Sequence, residues 1–589
     1  MILDKVNSPD DVKKLSYDEM RELSGEIRQL VMNKVNTIGG HMGPNLGIVE
    51  ATIALHYVFN SPEDKIIFDV SHQCYPHKIL TGRKEGFTPD NYLKYTGYTA
   101  PEESVHDLFK VGHTSTSVSL ATGVAKARDL KGGKYNVIAL IGDGSLTGGE
   151  ALEGLNNAAT LNSNIIILVN DNDISIAENH GSIYDNLKKL RETDGKYENN
   201  FFTALGYDYY FIKDGNNVEE VIDTLNKVKD IDHPVVVHMF TQKGLGLEPA
   251  MKDKEAYHWS LPGVLDEQQS STVMSEDYTS ITKDYHLQKI KEDKSYIVVN
   301  AATPGVFGFD REYRQQLGNQ YTDVGIAEEH AVAYSSALAS QGAKPVLHFM
   351  SSFVQRTYDQ LSQDLCLNNS PLTMLIYWGG ISGADCTHLC TFDIPLISNI
   401  PNMVYLAPTN KEEYLAMLDW SVNQTEHPVA IRVPMCNFIS TGVEDKTDYS
   451  ILNKFKMIER GSKVAIIGAG NFFYKGEDVQ DELKDRLGID ATLINPVYLT
   501  GIDKDMLEDL KKDHELVITL EDGELDGGFG EKISRFYGNS DMKVLNFGAE
   551  KGFPDRVPLE ELYEQYHLTT DLIVEDIAKT LGLLEGANK

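Results

Sequence analysis

Val137-Ile138-Ala139-Leu140-Ile141-Gly142-Asp143-Gly144, followed downstream by Ile165-Ile166-Ile167-Leu168-Val169-Asn170-Asp171-Asn172, decides the fold. Each stretch is an apolar run that reads as a buried strand and ends in a polar turn. The segment between them reads as a helix, which makes the pair one strand–helix–strand unit of a parallel sheet. Asp143 offers a carboxylate oxygen and Asn172 an amide oxygen. With backbone carbonyls and water, these complete an octahedron around Mg²⁺, a cation that favours oxygen ligands and bound phosphate. The flanking glycines let the backbone approach a diphosphate closely. Gly-Asp-Gly is also an ordinary turn sequence, so the motif draws its meaning from the rest of the chain.

Strand–helix alternation continues outward from this unit. Residues 66–70 and 234–239 read as further buried strands, and 115–130 as an amphipathic helix. The polar stretch 266–292 reads as a linker. A second α/β unit runs over 296–437, with strands at 345–349, 373–377 and 404–407. Residues 440–448 are turn-rich and mark a second boundary. A third unit carries strands at 463–467, 490–494 and 516–520. Gly468-Ala469-Gly470 lacks the third glycine of a dinucleotide fingerprint and is followed by bulky Phe472 and Phe473. It reads as a plain βα turn.

The 589 residues exceed one hydrophobic core and suit about three or four domains. Hydrophobic residues make up 41% and charged residues 24%, the profile of a soluble globular protein. The formal net charge of −34 repels nucleic acid and anionic membranes, so neither is expected as a partner. Five scattered cysteines (Cys74, Cys366, Cys386, Cys390, Cys436) make no disulfide framework and no paired CxxC zinc site. Free thiols in a reducing compartment are the expectation. The N-terminus has no basic region with an apolar core, and no apolar run is long enough to span a bilayer. The expected location is the cytoplasm.

Further motifs surround the Mg²⁺-type turn. Gly39-Gly40-His41-Met42-Gly43-Pro44-Asn45-Leu46-Gly47 precedes a helix. Asp69-Val70-Ser71-His72 follows a strand. Gly112-His113-Thr114-Ser115-Thr116-Ser117 opens a helix. Gly325-Ile326-Ala327-Glu328-Glu329-His330 joins a strand to a helix, and Phe353 precedes Gln355-Arg356-Thr357. Together, in order and over nearly the whole chain, these resemble the 1-deoxy-D-xylulose-5-phosphate synthase family of transketolase-like thiamine-diphosphate enzymes. The resemblance implies three doubly wound α/β domains: a pyrophosphate domain (1–290), a pyrimidine domain (291–445) and a C-terminal transketolase-like domain (446–589). It also implies thiamine diphosphate and Mg²⁺ as cofactors, small-molecule substrates and a homodimer.

The resemblance assigns roles to residues of this chain. Asp143, Asn172 and the backbone carbonyl of Ile174 match the metal ligands. His72, Gly112, His113, Thr114, Ser115, Gly144, Ser145 and Lys243 match the cofactor cradle, with Arg356 beside it. For Lys243 a solvated loop lysine is the alternative. Glu328 matches the glutamate that shares a proton with the cofactor's pyrimidine ring, as a partly buried carboxyl can at neutral pH. Taken alone, it reads as a helix N-terminal acid facing the dipole. Phe353 matches the aromatic stacked on that ring; a plain core Phe is the alternative. His41, His72 and His258, and with them His388, match catalytic or substrate-orienting positions, where imidazole moves protons near neutral pH.

The departures from the family gather around the substrate. The family's Asp-Arg-Ala-Gly is Tyr377-Trp378-Gly379-Gly380 here, and its Tyr-Pro-Arg-Gly is Val433-Pro434-Met435-Cys436. Those arginines hold the acceptor phosphate in the family, with charge and a bidentate fork that Trp378 and Met435 lack. A third basic position is Pro101, the Cys386–Asp393 segment is one residue shorter, and Asp-Gly-His-Asp becomes Asp214-Gly215-Asn216-Asn217. The expected function is thus decarboxylation of pyruvate and ligation of its two-carbon unit to an aldehyde, with the acceptor changed. The alternative is that Arg356, Arg432 or Lys243 supplies the phosphate's charge from another direction. The competing activities are ketol transfer between sugars, and a 2-oxoacid dehydrogenase component serving a lipoyl partner, for which no docking segment is seen. A non-catalytic binding role is disfavoured by the joint presence of Asp143, Asn172 and Glu328.

Overall fold

Apolar runs such as 137–141 place alternate side chains on opposite faces of a strand, and a computed structural model of the chain shows both faces covered. It describes residues 1–266, 276–435 and 438–583. Cys436, the end of the Val433-Pro434-Met435-Cys436 match, lies outside the described residues, as does 267–275 of the linker reading. Two compact units are present: Met1–Val273 with Gly325–Ala327, and Met274–Val324 with Glu328–Lys589.

In the first unit, strands β1 (Lys65–Phe68), β2 (Val137–Gly142), β3 (Ile165–Asp171), β4 (Asp208–Ile212) and β5 (Pro234–Phe240) form one sheet in the order β1-β2-β3-β5-β4. All four pairings are parallel. Ile138, Leu140, Ile166 and Leu168 enter one core. Val137, Ala139, Ile141, Ile165, Ile167 and Val169 enter another on the opposite face. This is why the runs are apolar without alternation: helices cover both faces, as in doubly wound sheets. Each of the Val, Leu and Ile side chains contributes about 1.5–3 kcal/mol on burial.

The second unit holds two sheets. Strands β6 (Tyr296–Asn300), β7 (Tyr321–Asp323), β8 (Lys344–Met350), β9 (Thr373–Tyr377), β10 (Val404–Leu406) and β11 (Val429–Arg432) pair in the order β10-β11-β9-β8-β6-β7, all parallel. Strands β12 (Lys456–Glu459), β13 (Lys463–Gly468), β14 (Thr492–Asn495), β15 (His514–Glu524) and β16 (Lys543–Ala549) form the other, with only the β12–β14 pairing antiparallel. Gly468-Ala469-Gly470 is the plain βα turn expected, leading into helix Phe473–Leu487.

The linker reading is corrected in part. Tyr278–Glu292 is an α-helix with a capping box between Asp277 and Ser280. Its buried face mixes Tyr278, Ile281 and Ile290 with Thr282 and His286, so the apolar periodicity that would announce it is thin. It packs in the core of the second unit. Residues 440–448 form neither helix nor strand. Cys74, Cys366, Cys386 and Cys390 are free thiols. Among the described residues no helix is long and apolar enough to cross a membrane.

Candidate active site

In the first unit, the expected cofactor residues gather at the carboxyl ends of adjacent strands. Register places them there. Gly142 pairs with Asn170, so Asp143 and Asn172 both leave the sheet at one level. Asp171 pairs with Phe240, which brings the 241–243 turn alongside. Asp69, after β1, completes the row. Ligands of open α/β sheets bind at such strand ends.

Asp143 is buried. Its carboxylate accepts from Gly144 N at 3.0 Å and from Asn179 Nδ2 at 3.2 Å. Burial, and secondly the charge of Asp171, push it up to about 7. Asn172 Oδ1 is buried with no hydrogen-bond partner, an arrangement that costs energy unless something accepts its lone pairs. The backbone carbonyl of Asn172 accepts from Lys254 Nζ at 2.9 Å. A Cβ on Gly144 would lie 2.5 Å from Ser175 Oγ, so only glycine lets the two turns meet. A buried carboxylate and an unpartnered amide oxygen on touching turns are the oxygen donors that a hard divalent cation takes. Ile174, on the same turn, is partly exposed.

The network behind this turn was not legible in the sequence. The Asp171 carboxylate accepts from Arg191 Nη1 at 2.6 Å and lies 2.9 Å from His238 Nε2. His238 Nδ1 lies 2.7 Å from the Tyr209 hydroxyl. Burial alone would raise Asp171, but His238 and Arg191 hold it below the ordinary carboxylate range. Arg191 stands on helix Ser182–Glu192 and carries no local signal of this role.

The Gly112–Ser117 loop is braced rather than open. Asp69 accepts from Ser115 N at 2.8 Å and from Ser117 N at 2.9 Å. Ser115, at φ 75°, also donates Oγ to Ser145 O at 2.8 Å. Both hydrogen-bond donors of Ser115 are therefore engaged within the fold. Gly112 is buried, while His113 and Thr114 are partly exposed.

Three of the expected histidines come together. The His41 ring lies 4.9 Å from His72 and 5.4 Å from His258, and His72 lies 5.4 Å from His258. Buried Asn45 ties their loops, donating to His41 O and His72 O, both at 2.8 Å. Lys243 is buried, not a solvated loop lysine. It donates to Ser175 O at 2.7 Å and lies 2.9 Å from His258 Nδ1. Burial lowers Lys243 to about 7, and burial followed by Lys243 holds His258 neutral well below its usual value. Asn216, where the family has histidine, accepts from Gln242 N at 2.7 Å and donates to Gly47 O at 3.0 Å. It thus joins the His41 loop to the Lys243 turn.

The second unit carries the remaining residues, again at strand ends. Glu328 begins helix Glu328–Ser340 and is buried. Its carboxyl is raised by burial, with Arg356 pulling the other way. No hydrogen bond reaches Glu328 Oε2, and the Arg356 guanidinium stands 3.7 Å from it. Phe353 is partly exposed, not a core residue, and its ring meets that of His388 edge-on at 5.9 Å.

Trp378 and Met435 are 44% and 47% exposed, at the ends of β9 and β11. Trp378 holds a left-handed φ of 63°, a strained state for a bulky residue. Arg432 offers no free charge there. Its Nε and Nη2 donate to Asp393 at 2.6 and 3.2 Å, and Nη1 donates to Asp522. Asn471 binds Asp522 at 2.7 Å and accepts from Met435 N at 3.0 Å.

Three largely parallel sheets, with oxygen donors at the strand ends of the first and a buried glutamate beyond a strand of the second, have the make-up of a transketolase-like enzyme. The family models and the sequence relatives agree. A family model described as 1-deoxy-D-xylulose-5-phosphate synthase matches residues 3–200 and 193–241. The transketolase pyrimidine binding domain matches 265–438, and the transketolase C-terminal domain matches 453–573. The 1-deoxy-D-xylulose-5-phosphate synthase of Caldanaerobacter subterraneus subsp. tengcongensis is 36% identical, covering 100% of both chains. That of Clostridium acetobutylicum is 36% identical over 98% of this chain and 99% of its own. A solved transketolase from Campylobacter jejuni aligns with 95% of this chain and 99% of its own at 16% identity, with a TM-score of 0.44. The chain belongs to the 1-deoxy-D-xylulose-5-phosphate synthase family, whose members are thiamine-diphosphate-dependent transferases.

Proposed function

We propose that this enzyme decarboxylates pyruvate and joins the two-carbon unit to an aldehyde, using thiamine diphosphate and Mg²⁺. The observation that carries the cofactor assignment is the buried Asp143 carboxylate facing a turn whose Asn172 Oδ1 has no partner. Asp143, Asn172 and the carbonyl of Ile174 would hold Mg²⁺ on the diphosphate. His72, Gly112, His113, Thr114, Gly144 and Lys243 would form the cradle, with Ser115 and Ser145 bracing it. When bound, thiamine diphosphate supplies a carbon nucleophile and an electron sink. Glu328, whose buried carboxyl is raised by burial with Arg356 limiting the rise, would hold a proton to share with a ring nitrogen of that cofactor, and Phe353 would be the aromatic set against the ring. His41 and His72 would move protons to and from substrate oxygens, with His258 orienting them and His388 as a further donor. His258, held neutral by burial and by Lys243, is a weak base and is suited to orient a substrate oxygen by hydrogen bonding.

The acceptor is proposed to differ from the family's phosphorylated aldehyde. Trp378 and Met435 carry no charge, and Arg432 is spent on Asp393 and Asp522. Lys243 is lowered to about 7 and bonded internally. An unphosphorylated, less polar aldehyde fits two exposed apolar side chains better than a dianion does. Trp378→Arg combined with Met435→Arg should raise kcat/KM for glyceraldehyde 3-phosphate about 10–100-fold, the worth of restored charged hydrogen bonds. No gain removes the altered-pocket argument.

The deciding assay is CO₂ release from pyruvate with thiamine diphosphate and Mg²⁺, with and without glyceraldehyde 3-phosphate, and the product identified by mass. Stimulation with 1-deoxy-D-xylulose 5-phosphate formed establishes the family reaction. CO₂ release stimulated only by other aldehydes establishes the changed acceptor. Turnover of ketose donors without CO₂ refutes the proposal in favour of ketol transfer. We further propose a cytoplasmic homodimer acting on small molecules, supported by the family resemblance and the free thiols. The division into domains 1–290, 291–445 and 446–589 is proposed with its first boundary moved ahead of helix Tyr278–Glu292, because that helix packs in the second unit.

A further inference from the structure

Beside the three-histidine cluster stands a fourth ring. Tyr98 lies 6.1 Å from His41, inclined at 73°, and is partly exposed. Its loop has no regular secondary structure, yet the residues around it are tied in turn. Thr96 N donates to Glu103 Oε1 at 2.7 Å, and Gly97 O accepts from Cys74 Sγ at 3.3 Å. Thr99 N donates to Ser71 Oγ at 2.9 Å, and Ala100 N to Asp107 Oδ2 at 2.8 Å.

Asp107 is itself locked. Arg83 grips it with two bonds of 2.7 Å, and His77 Nε2 lies 2.9 Å away, backed by His56 at 2.9 Å. All four residues of this relay are buried. A buried ion pair of this kind adds little net stability, but it holds a loop in one geometry. The loop so held presents Tyr98 next to His41. Preorganised side chains on a rigid support are what binding and orientation of a substrate require.

We propose that Tyr98 contacts the substrate, donating its phenolic hydrogen bond to an oxygen of the molecule that the histidine cluster orients. That oxygen belongs either to the carboxylate of the 2-oxoacid donor or to a hydroxyl of the aldehyde acceptor. The proposal rests on the histidine cluster being the substrate site. The test is steady-state kinetics of the full-length holoenzyme, loaded with thiamine diphosphate and Mg²⁺. KM is measured for pyruvate and for the aldehyde that stimulates CO₂ release, in wild type, Tyr98→Phe, Tyr98→Ala and His41→Ala.

Tyr98→Phe should raise KM for one of the two substrates about 3–10-fold, the worth of one hydrogen bond, with kcat within about 2-fold and an unchanged melting temperature. The substrate affected identifies the oxygen. Tyr98→Ala should raise the same KM further. A purely structural Tyr98 would instead change the melting temperature without this split. Unchanged KM values in both Tyr98 variants, with activity lost in His41→Ala, overturn the proposal and leave the site reading standing. Wild-type kinetics in His41→Ala, or no turnover of pyruvate by the wild type, overturn the site reading and this proposal together.

Discussion

Glu328→Ala lowers kcat by about 10²–10⁴-fold, the range of a lost proton-transfer group, while the fold and the metal–diphosphate site stay intact. Glu328 is buried at a helix start with one carboxyl oxygen lacking a hydrogen bond. Burial raises its pKa, so the proton persists to higher pH than in an exposed glutamate. Activity that needs that proton has an alkaline limb set by this group. Arg356 stabilises the carboxylate, so Arg356→Gln should move the limb to higher pH, a shift read from the kcat/KM profile. Movement to lower pH would refute the assignment. The stability sign follows the same logic. A carboxyl whose folded pKa exceeds its unfolded value contributes stability below about pH 4.5, lost as pH rises through the folded pKa. Glu328→Gln should therefore be at least as stable as wild type at pH 8, with turnover still lost. A variant that binds cofactor normally and turns over at the wild-type rate would overturn the mechanism.

Asp143→Ala should abolish stabilisation by the cofactor pair. Wild-type protein held with thiamine diphosphate and Mg²⁺ at about 100-fold the dissociation constant gains about 2.7 kcal/mol, read as a rise in melting temperature. The variant should gain nothing from the same additions, because the remaining oxygen donors on the Asn172 turn cannot hold a divalent cation alone. The readout does not depend on turnover. A full shift in the Asp143→Ala variant would show that the metal sits elsewhere. Asn172→Ala should reduce the shift less, since a neutral amide contributes less to a cation site than a carboxylate.

The amino-acid order alone yielded the α/β class, most of the strands flanking the site and the placement of Asp143, Asn172 and Glu328 at strand or helix ends. These are local properties: a strand buried on both faces must be apolar throughout, and a turn beyond it must be glycine-rich and polar. It yielded the histidines as a set of types and positions, carried by resemblance rather than by spacing. It failed at helix Tyr278–Glu292, whose buried stripe is interrupted by Thr282 and His286. Folding alone decided which side chains meet across long separations. His41, His72 and His258 converge from three loops. Arg191 and His238 clamp Asp171 from a helix and a neighbouring strand. Arg432, a cation available on paper, is consumed by Asp393 and Asp522. The physical reason is common to all three. A charge or a lone pair has no fixed worth until burial and its partners are known, and both are set by distant parts of the chain.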